Sequence, residues 1–359
     1  MVTQTEQPRG GDSDGMAKDI PGAHATCNGL PHMVHSAEIK WLVTHSGGFH
    51  ADEVMASVIL TKVFPEAEIR RTREVDWITP GPDRLIYDVG GAYDAAAGIF
   101  DHHQRGAPLR EDHHPFSSFG LIWRHFGREY LTLSGIPALH IDHVHSAFDQ
   151  SFVLPVDMLD NGAVNPSSAG MLANLTLPTL LETLKPVFDD LDPEAEALAF
   201  ASALEIARSF VEAAIANYAA KSRADLMVRE AITRAGQGRV LELPFGMPFR
   251  NTIEKMGADH LLFVVHPRKA DWCVSGIRVH QDNFALRADL PAVWAGLTDA
   301  ALEAVTGVAG ALFCHNALFI ATAATREAAL RLADLAVSAA EHQLCPDAKF
   351  QKPLGNNDG

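Results

Sequence analysis

Short apolar runs that each end in histidine or aspartate recur through the early part of the chain. Ile39 to Thr44 leads into His45, Arg84 to Val89 carries Asp88 near its end, and Gly98 to Phe100 leads into Asp101-His102-His103. After the first run Gly47 and Gly48 turn the chain, and His50 to Val63 has helical spacing, which makes a βα unit. Ala67 to Thr72 reads as a further strand, and the alternation predicts an α/β fold built on a doubly wound, mostly parallel sheet. In such a sheet the carboxyl ends of the strands face one crevice, and ligands bind there.

Downstream, Phe116 to Phe126 and Ala138 to Phe152 read as helices. An Ala-rich stretch after Pro193 reads as one long connector or a helix pair, with Leu198, Leu204, Ile206, Phe210, Ile215, Leu226 and Val228 as its candidate core positions. From Arg239 the texture changes to short strands followed by a helix from Thr325 to Gln343. The chain therefore divides into a loose N-terminal arm (1–37), a metal-binding α/β domain (38–192), a helical connector (193–235), a second, smaller α+β domain (236–345) and a polar tail (346–359). A length of 359 residues with 47% hydrophobic residues is enough for two cores.

Charge and cysteine usage narrow the partners. With 29 basic and 45 acidic residues the net charge is −16, and such a field disfavours coating of long duplex DNA while leaving small phosphate-bearing substrates open, provided a divalent metal reverses the local sign. Cys27, Cys273, Cys314 and Cys345 form no C-x-x-C pair, so neither a disulfide framework nor a thiolate zinc site is expected. No secretory signal and no membrane-length apolar run is present, and a cytoplasmic protein without a membrane partner is expected.

The chemistry-bearing residues fall in five segments expected at strand ends or turns: Thr44 to Glu53, Tyr87 to Gly91, Phe100 to Arg105, Ser117-Ser118, and Val156 to Gly162. Histidines and carboxylates converging on one crevice suit two divalent cations, with Mn²⁺ expected first and Mg²⁺ also possible. Two cations about 3.5 to 4 Å apart clamp the oxygens that gain charge during in-line displacement at phosphorus. They need a bridging carboxylate, and Asp88, with two glycines behind it, is the candidate. Asp112-His113-His114 reads as a solvated loop, and His140, Asp142, His143 and His145 as a solvated helix face. Arg70, Arg71 and Arg73 suit either anion steering or an exposed strand end, and Gly10 to Gly15 lacks the context of a phosphate loop.

The runs 44–53, 70–73, 88–94, 100–105, 117–127 and 156–162, in this order, resemble the Myg-type (melanocyte-proliferating-gene) metal-dependent hydrolases, a branch of the DHH phosphoesterase superfamily, over about residues 39 to 343. The resemblance implies a DHH-type domain carrying two metals and a C-terminal domain that closes over substrate. It implies a phosphoesterase, first a 3′-to-5′ exoribonuclease or short-oligonucleotide phosphodiesterase acting on short RNA or another small phosphodiester. By motif, His45, His50 and Asp88 would hold one metal and Asp52, Asp88, His102 and Asp160 the other. His103 would face the scissile phosphate with Asp101 fixing it, and Gln104 and Arg105 would touch substrate. The family's His-x-x-Gly-Phe-Ile-Gly-Gly run is here His315-Asn316-Ala317-Leu318-Phe319-Ile320-Ala321-Thr322, which retains His315 as a substrate contact and loses all three glycines. Competing expectations are a small-molecule phosphatase or pyrophosphatase-like hydrolase, a low-turnover nucleotide- or metal-binding regulator, and a structural zinc site. The sequence leaves the oligomeric state open.

Overall fold

Strand β1 (Trp41–Thr44) enters the core at once, with Leu42 and Val43 fully buried. The computed structural model describes residues 39–280 and 283–344, so the expected arm 1–37 and tail 346–359 lie outside the described residues. Helix α1 (Ala51–Val63) is buried on nearly every side, which its apolar composition permits, and it returns the chain to β2 (Glu68–Arg71). Then follow β3 (Arg84–Tyr87), β4 (Tyr93–Asp94) and β5 (Ile99–Phe100). The sheet order is β2-β1-β3-β5-β4, all parallel except β4 against β5. From β1 the chain goes out to β2 on one side and returns to β3 on the other, so the crevice between the ends of β1 and β3 is a topological switch point, where open α/β sheets bind ligands.

Helices α1 and α2 (Ser118–Leu133) cover the face carrying Leu42, Leu85, Tyr87 and Phe100, and Trp77 and Ile78 of a turn cover Val43, Ile86 and Ile99 on the other. Helix α3 (Ala138–Phe148) runs through a π-helical turn, Asp149–Val153, into α4 (Leu154–Asp160). The helix expected over 138–152 thus continues to 160, and the segment 156–162, expected at a strand end or turn, is the end of a helix. Pro155, which has no N–H to give to the preceding turn, falls where the π-helical turn passes into α4. Asp142 and His143 lie on the exposed face that was expected, whereas His140 is buried, and the Nδ1 atoms of His140 and His143 both meet the Ser222 hydroxyl, at 2.8 and 3.0 Å. A 3₁₀ segment (Pro166–Leu175) and α5 (Leu177–Glu182) close the first half.

Helix α6 (Ala195–Ala235) is a single helix of 41 residues. Its buried stripe is Phe200, Ala203, Ala207, Val211, Ile215 and Ala219, where small alanines permit close approach to the first core. Of its expected core positions only Ile215 and Val228 are fully buried, whereas Leu198, Ile206, Phe210 and Leu226 are exposed, because the alanines rather than the bulkier residues set the contact face. Beyond it follow β6 (Val240–Glu242), α7 (Arg250–Lys255), β7 (Phe263–Pro267), β8 (Trp272–Gly276), α8 (Asp299–Thr306), β9 (Ala311–Cys314), β10 (Ile320–Ala323) and α9 (Arg326–Leu344). The second sheet, in order β6-β7-β8-β10-β9, is antiparallel except for β6 with β7. Helix α9 packs on it through Leu332, Ala333 and Ala336, while Val228, Ala231 and Ile232 of α6 join a neighbouring cluster with Leu241 and Val264.

Candidate active site

Each strand end delivers one part of the site. His45 follows β1 and is buried, with its Nδ1 3.3 Å from the Ser46 carbonyl oxygen. That contact turns Nε2 toward Glu53 Oε1 and Asp88 Oδ2, both at 3.2 Å. Asp88 follows β3 in the left-handed region, at φ 58°, which aspartate tolerates better than most residues. Behind it Gly90 packs so tightly on Ile99 that a Cβ would clash, and the Gly91 N–H donates to Asp101 Oδ2 at 2.6 Å. Ser118, at the start of α2, donates its hydroxyl to Asp88 Oδ1 at 3.1 Å.

Past β5, Asp101 organises the next two residues. Its Oδ1 accepts from the His102 N–H at 2.7 Å, the His103 N–H at 3.2 Å and His103 Nδ1 at 2.7 Å. His103 is left with its side chain 62% exposed and its Nε2 free of that bond. His102 is buried and donates Nδ1–H to Asn161 Oδ1 at 3.4 Å, so Nε2 points inward, 3.3 Å from both Asp88 Oδ1 and Asp160 Oδ2 and 3.9 Å from Asp52 Oδ2.

Asp160 and Asn161 arrive from α4, which is anchored by the buried Asp157. That carboxylate accepts from Ser117 Oγ at 2.7 Å, the Gly120 N–H at 3.0 Å and Arg110, whose guanidinium also grips Asp149. Ser117 and Ser118 therefore orient one carboxylate each. Arg71 donates to the Gly47 carbonyl, Arg73 donates to that of Ser46, and Arg70 lies over the Trp77 ring. Arg71 and Arg73 thereby tie down the β1–α1 loop.

The electrostatics call for cations. Asp52, in the first turn of α1, is 1% exposed, and neither carboxylate oxygen has a hydrogen-bond partner. Its pKa is driven well above the usual carboxylate range by burial and then by Asp88, Asp160 and Glu53. Burial also pushes Asp88 up, but the imidazoles of His102 and His45 hold it far below its ordinary value. Burial lowers His45, yet Asp88 and Glu53 outweigh this and raise it to about 9, and His102 is raised against its own burial by Asp88, Asp160 and Asp101. A buried carboxylate with no donor and a buried imidazole nitrogen aimed at three carboxylates are unfavourable without positive charge, and divalent cations fit these donors.

Four sets of side chains have ligand atoms close enough to share an ion: His45-His50-Glu53, Asp88-His102-His103, His50-Asp52-Asp160 and Asp52-Glu53-Asp88. All six expected ligands, His45, His50, Asp52, Asp88, His102 and Asp160, come together here. Glu53 was not expected. It is fully buried, and both its oxygens accept from the His50 N–H at 2.9 and 2.8 Å, the reach-back of a capping box. A glutamate three residues after the helix cap was the available signal.

The crevice, about 520 Å³, is lined by His50, Asp52, His102, His103, Asp160 and Glu182 among others. Gln104 donates Nε2–H to the Asp101 carbonyl at 3.0 Å and leaves its buried Oε1 without a partner, while Arg105 is exposed. His315 follows β9 of the second sheet and is not among the residues lining the crevice, and its Nδ1 accepts from the Ala317 N–H at 3.0 Å. Leu318, in the place of the first missing glycine, takes φ 59°, so the turn keeps a glycine-like backbone.

The model of the family MYG1_exonuc, described as "Uncharacterised protein family (UPF0160)", matches residues 41–337. The chain belongs to this family. It is 31% identical over 316 residues to a MYG1 protein of Schizosaccharomyces pombe, covering 81% of this chain and 95% of that one. The MYG1 exonuclease of Mus musculus is 30% identical over 319 residues, 81% of this chain and 83% of its own. The crystal structure of RecJ from Thermus thermophilus in complex with Mn²⁺ aligns over 83% of this chain and 52% of its own at 14% identity and a TM-score of 0.25, a likeness too slight to bear on the site. Among the described residues no helix is long and apolar enough to cross a membrane.

Proposed function

We propose that this member of the MYG1 family is a metal-dependent phosphoester hydrolase that removes nucleotides from the 3′ end of short RNA. The observation that carries the reading is Asp88, whose two oxygens face opposite ways, one to His45 and the other to His102, beside the unpartnered carboxylate of Asp52. Relatives named exonucleases, at about 30% identity over most of the chain, support the same class.

Two cations are proposed, Mn²⁺ before Mg²⁺ because imidazole shares the site with carboxylate. His45, His50, Glu53 and Asp88 would hold one, and Asp52, Asp88, His102 and Asp160 the other. Bound there, they supply Lewis-acid stabilisation of the charge that develops on phosphoryl oxygens. Asp101 keeps the His103 Nδ1 proton in place, so its exposed Nε2 is the group available to a phosphoryl oxygen or a leaving oxygen. Gln104 and Arg105 flank it as substrate contacts. Residues 236–345 are proposed as a separate capping domain joined to 38–192 by the connector 193–235, and His315 would meet substrate only when that half closes. The scattered cysteines, with Cys273 and Cys314 free and buried, suit the cytoplasm.

The test is cleavage of an end-labelled RNA pentamer by metal-stripped protein restored with Mn²⁺, beside a phosphomonoester. Stepwise shortening from the 3′ end, lost in Asp88→Ala and His103→Ala, is expected. Release of phosphate from the monoester alone would make the protein a phosphatase.

A further inference from the structure

Next to the charged crevice lies a second cavity of about 330 Å³ with a different character. No charged side chain is among the residues that line it. Its walls include Met55 of α1, Phe152 of the π-helical turn, Val164 and Leu177, and its only polar side chains are the hydroxyls of Ser151, Ser168 and Thr176. Val156, Leu159 and Pro178 line both this cavity and the metal crevice, so the two are neighbours that share a wall made by α4 and the start of α5. The π-helical turn places Phe152 here, one helical turn before the α4 residues that lead to Asp160.

We infer that this cavity is a subsite for a single nucleobase, the base of the nucleotide whose phosphate lies over the metal-site carboxylates. The inference rests on the phosphodiesterase reading and adds to it the group that the enzyme grips. An apolar cleft with a few hydroxyls suits a flat heterocycle: apolar and aromatic side chains pack on its faces, and hydroxyls at the rim meet its polar edge. The volume accommodates one base and not a stack of several, which favours the end of a strand over its interior. Contact through the faces of the ring is tolerant of sequence, so all four bases are accepted with modest preferences.

The experiment uses the full-length chain in two arms. In the first, adenosine and octanoate are titrated separately into protein held in chelator, with binding followed by calorimetry. Adenosine is expected to bind saturably. Val164→Trp, which fills the cavity from a side chain that is 41% exposed, and Leu159→Asn, which keeps the wall's size but makes it polar, are each expected to weaken binding by about tenfold. Octanoate binding in place of adenosine, or adenosine binding unchanged in both variants, overturns the subsite. In the second arm, Mn²⁺-loaded protein is offered a dinucleotide and the same diester with hydrogen replacing the terminal base. A preference for the base-bearing diester that shrinks in both variants supports the subsite, and equal cleavage of the two diesters overturns it while leaving the phosphodiesterase reading intact. Adenosine binding that weakens in both variants, with neither diester cleaved, supports the cavity as a nucleoside site and counts against the phosphodiesterase reading instead.

Discussion

Asp52 is held where a carboxylate without a cation is unfavourable, between Asp88, Asp160 and Glu53 and with no hydrogen-bond donor of its own. Asp52→Asn removes that repulsion and supplies an amide that can donate to the neighbouring carboxylates. It is expected to stabilise the metal-free protein by about 1 to 3 kcal/mol, the usual scale for an unsatisfied buried polar group. The same change should abolish the rise in melting temperature on adding Mn²⁺, and thermal unfolding with and without chelator reads both effects. A variant less stable in chelator than the parent would show that Asp52 has another role. His45 gives a pH signature. Its pKa in the metal-free fold is raised to about 9, above the ordinary 6.5, so its protonated form stabilises that fold fully below pH 6.5 and the contribution fades as pH rises through about 9. A cation must displace this proton, so Mn²⁺ affinity should tighten over the same interval, as titrations at stepped pH would record. An affinity flat across that range would remove His45 from the ligand set.

Helix α4 shows how much depends on one glycine. A Cβ at Gly120 would overlap the carboxylate of Asp157, the residue that Ser117, Arg110 and the Gly120 N–H together hold at the α2–α4 contact. Gly120→Ala should therefore cost about 1 to 3 kcal/mol of stability, as overpacking does. It should also reduce turnover at a temperature where the variant is fully folded, because Asp160 and Asn161 ride on the displaced helix. Denaturant melts together with single-substrate kinetics separate the two effects, and full activity in a destabilised variant would show that α4 need not be placed so closely. The limit of the sequence lies at this same helix. His45, Asp88 and His102 could be read because short parallel strands end where their apolar runs end, and the chemistry follows immediately. Asp160 was expected to join them, but from a strand end or turn. Its delivery by a helix follows from a π-helical turn and from an Arg110–Asp157 pairing across 47 residues, neither of which has a local pattern. Glu53 was hidden for the opposite reason: a glutamate in a first helical turn already has an ordinary capping role, and only the approach of His45 gives it another.

Across the molecule, α6 is the element that reaches both cores, with Phe200 to Ala219 in the first and Val228 to Ile232 in the second. Residues 195–235 contain neither glycine nor proline, so the choice between one helix and a pair was decidable from the sequence, whereas the face it buries was not, because alanines rather than leucines make the contact. The net charge of −16 acts at this scale too. It opposes the approach of a polyanion in proportion to the polyanion's length, while the phosphate at the reacting end experiences mainly the local field of the metal site. Raising the ionic strength from about 0.01 M to about 0.15 M shortens the Debye length from about 30 Å to about 8 Å and screens the long-range repulsion far more than the contacts inside the crevice. The kcat/KM for a long single-stranded RNA is therefore expected to rise relative to that for a dinucleotide as salt is added, the reverse of the trend for a nuclease that tracks its substrate along a basic groove. A steep relative loss on the long RNA would instead show that a cationic surface follows the strand, and the short-substrate assignment would fall with it.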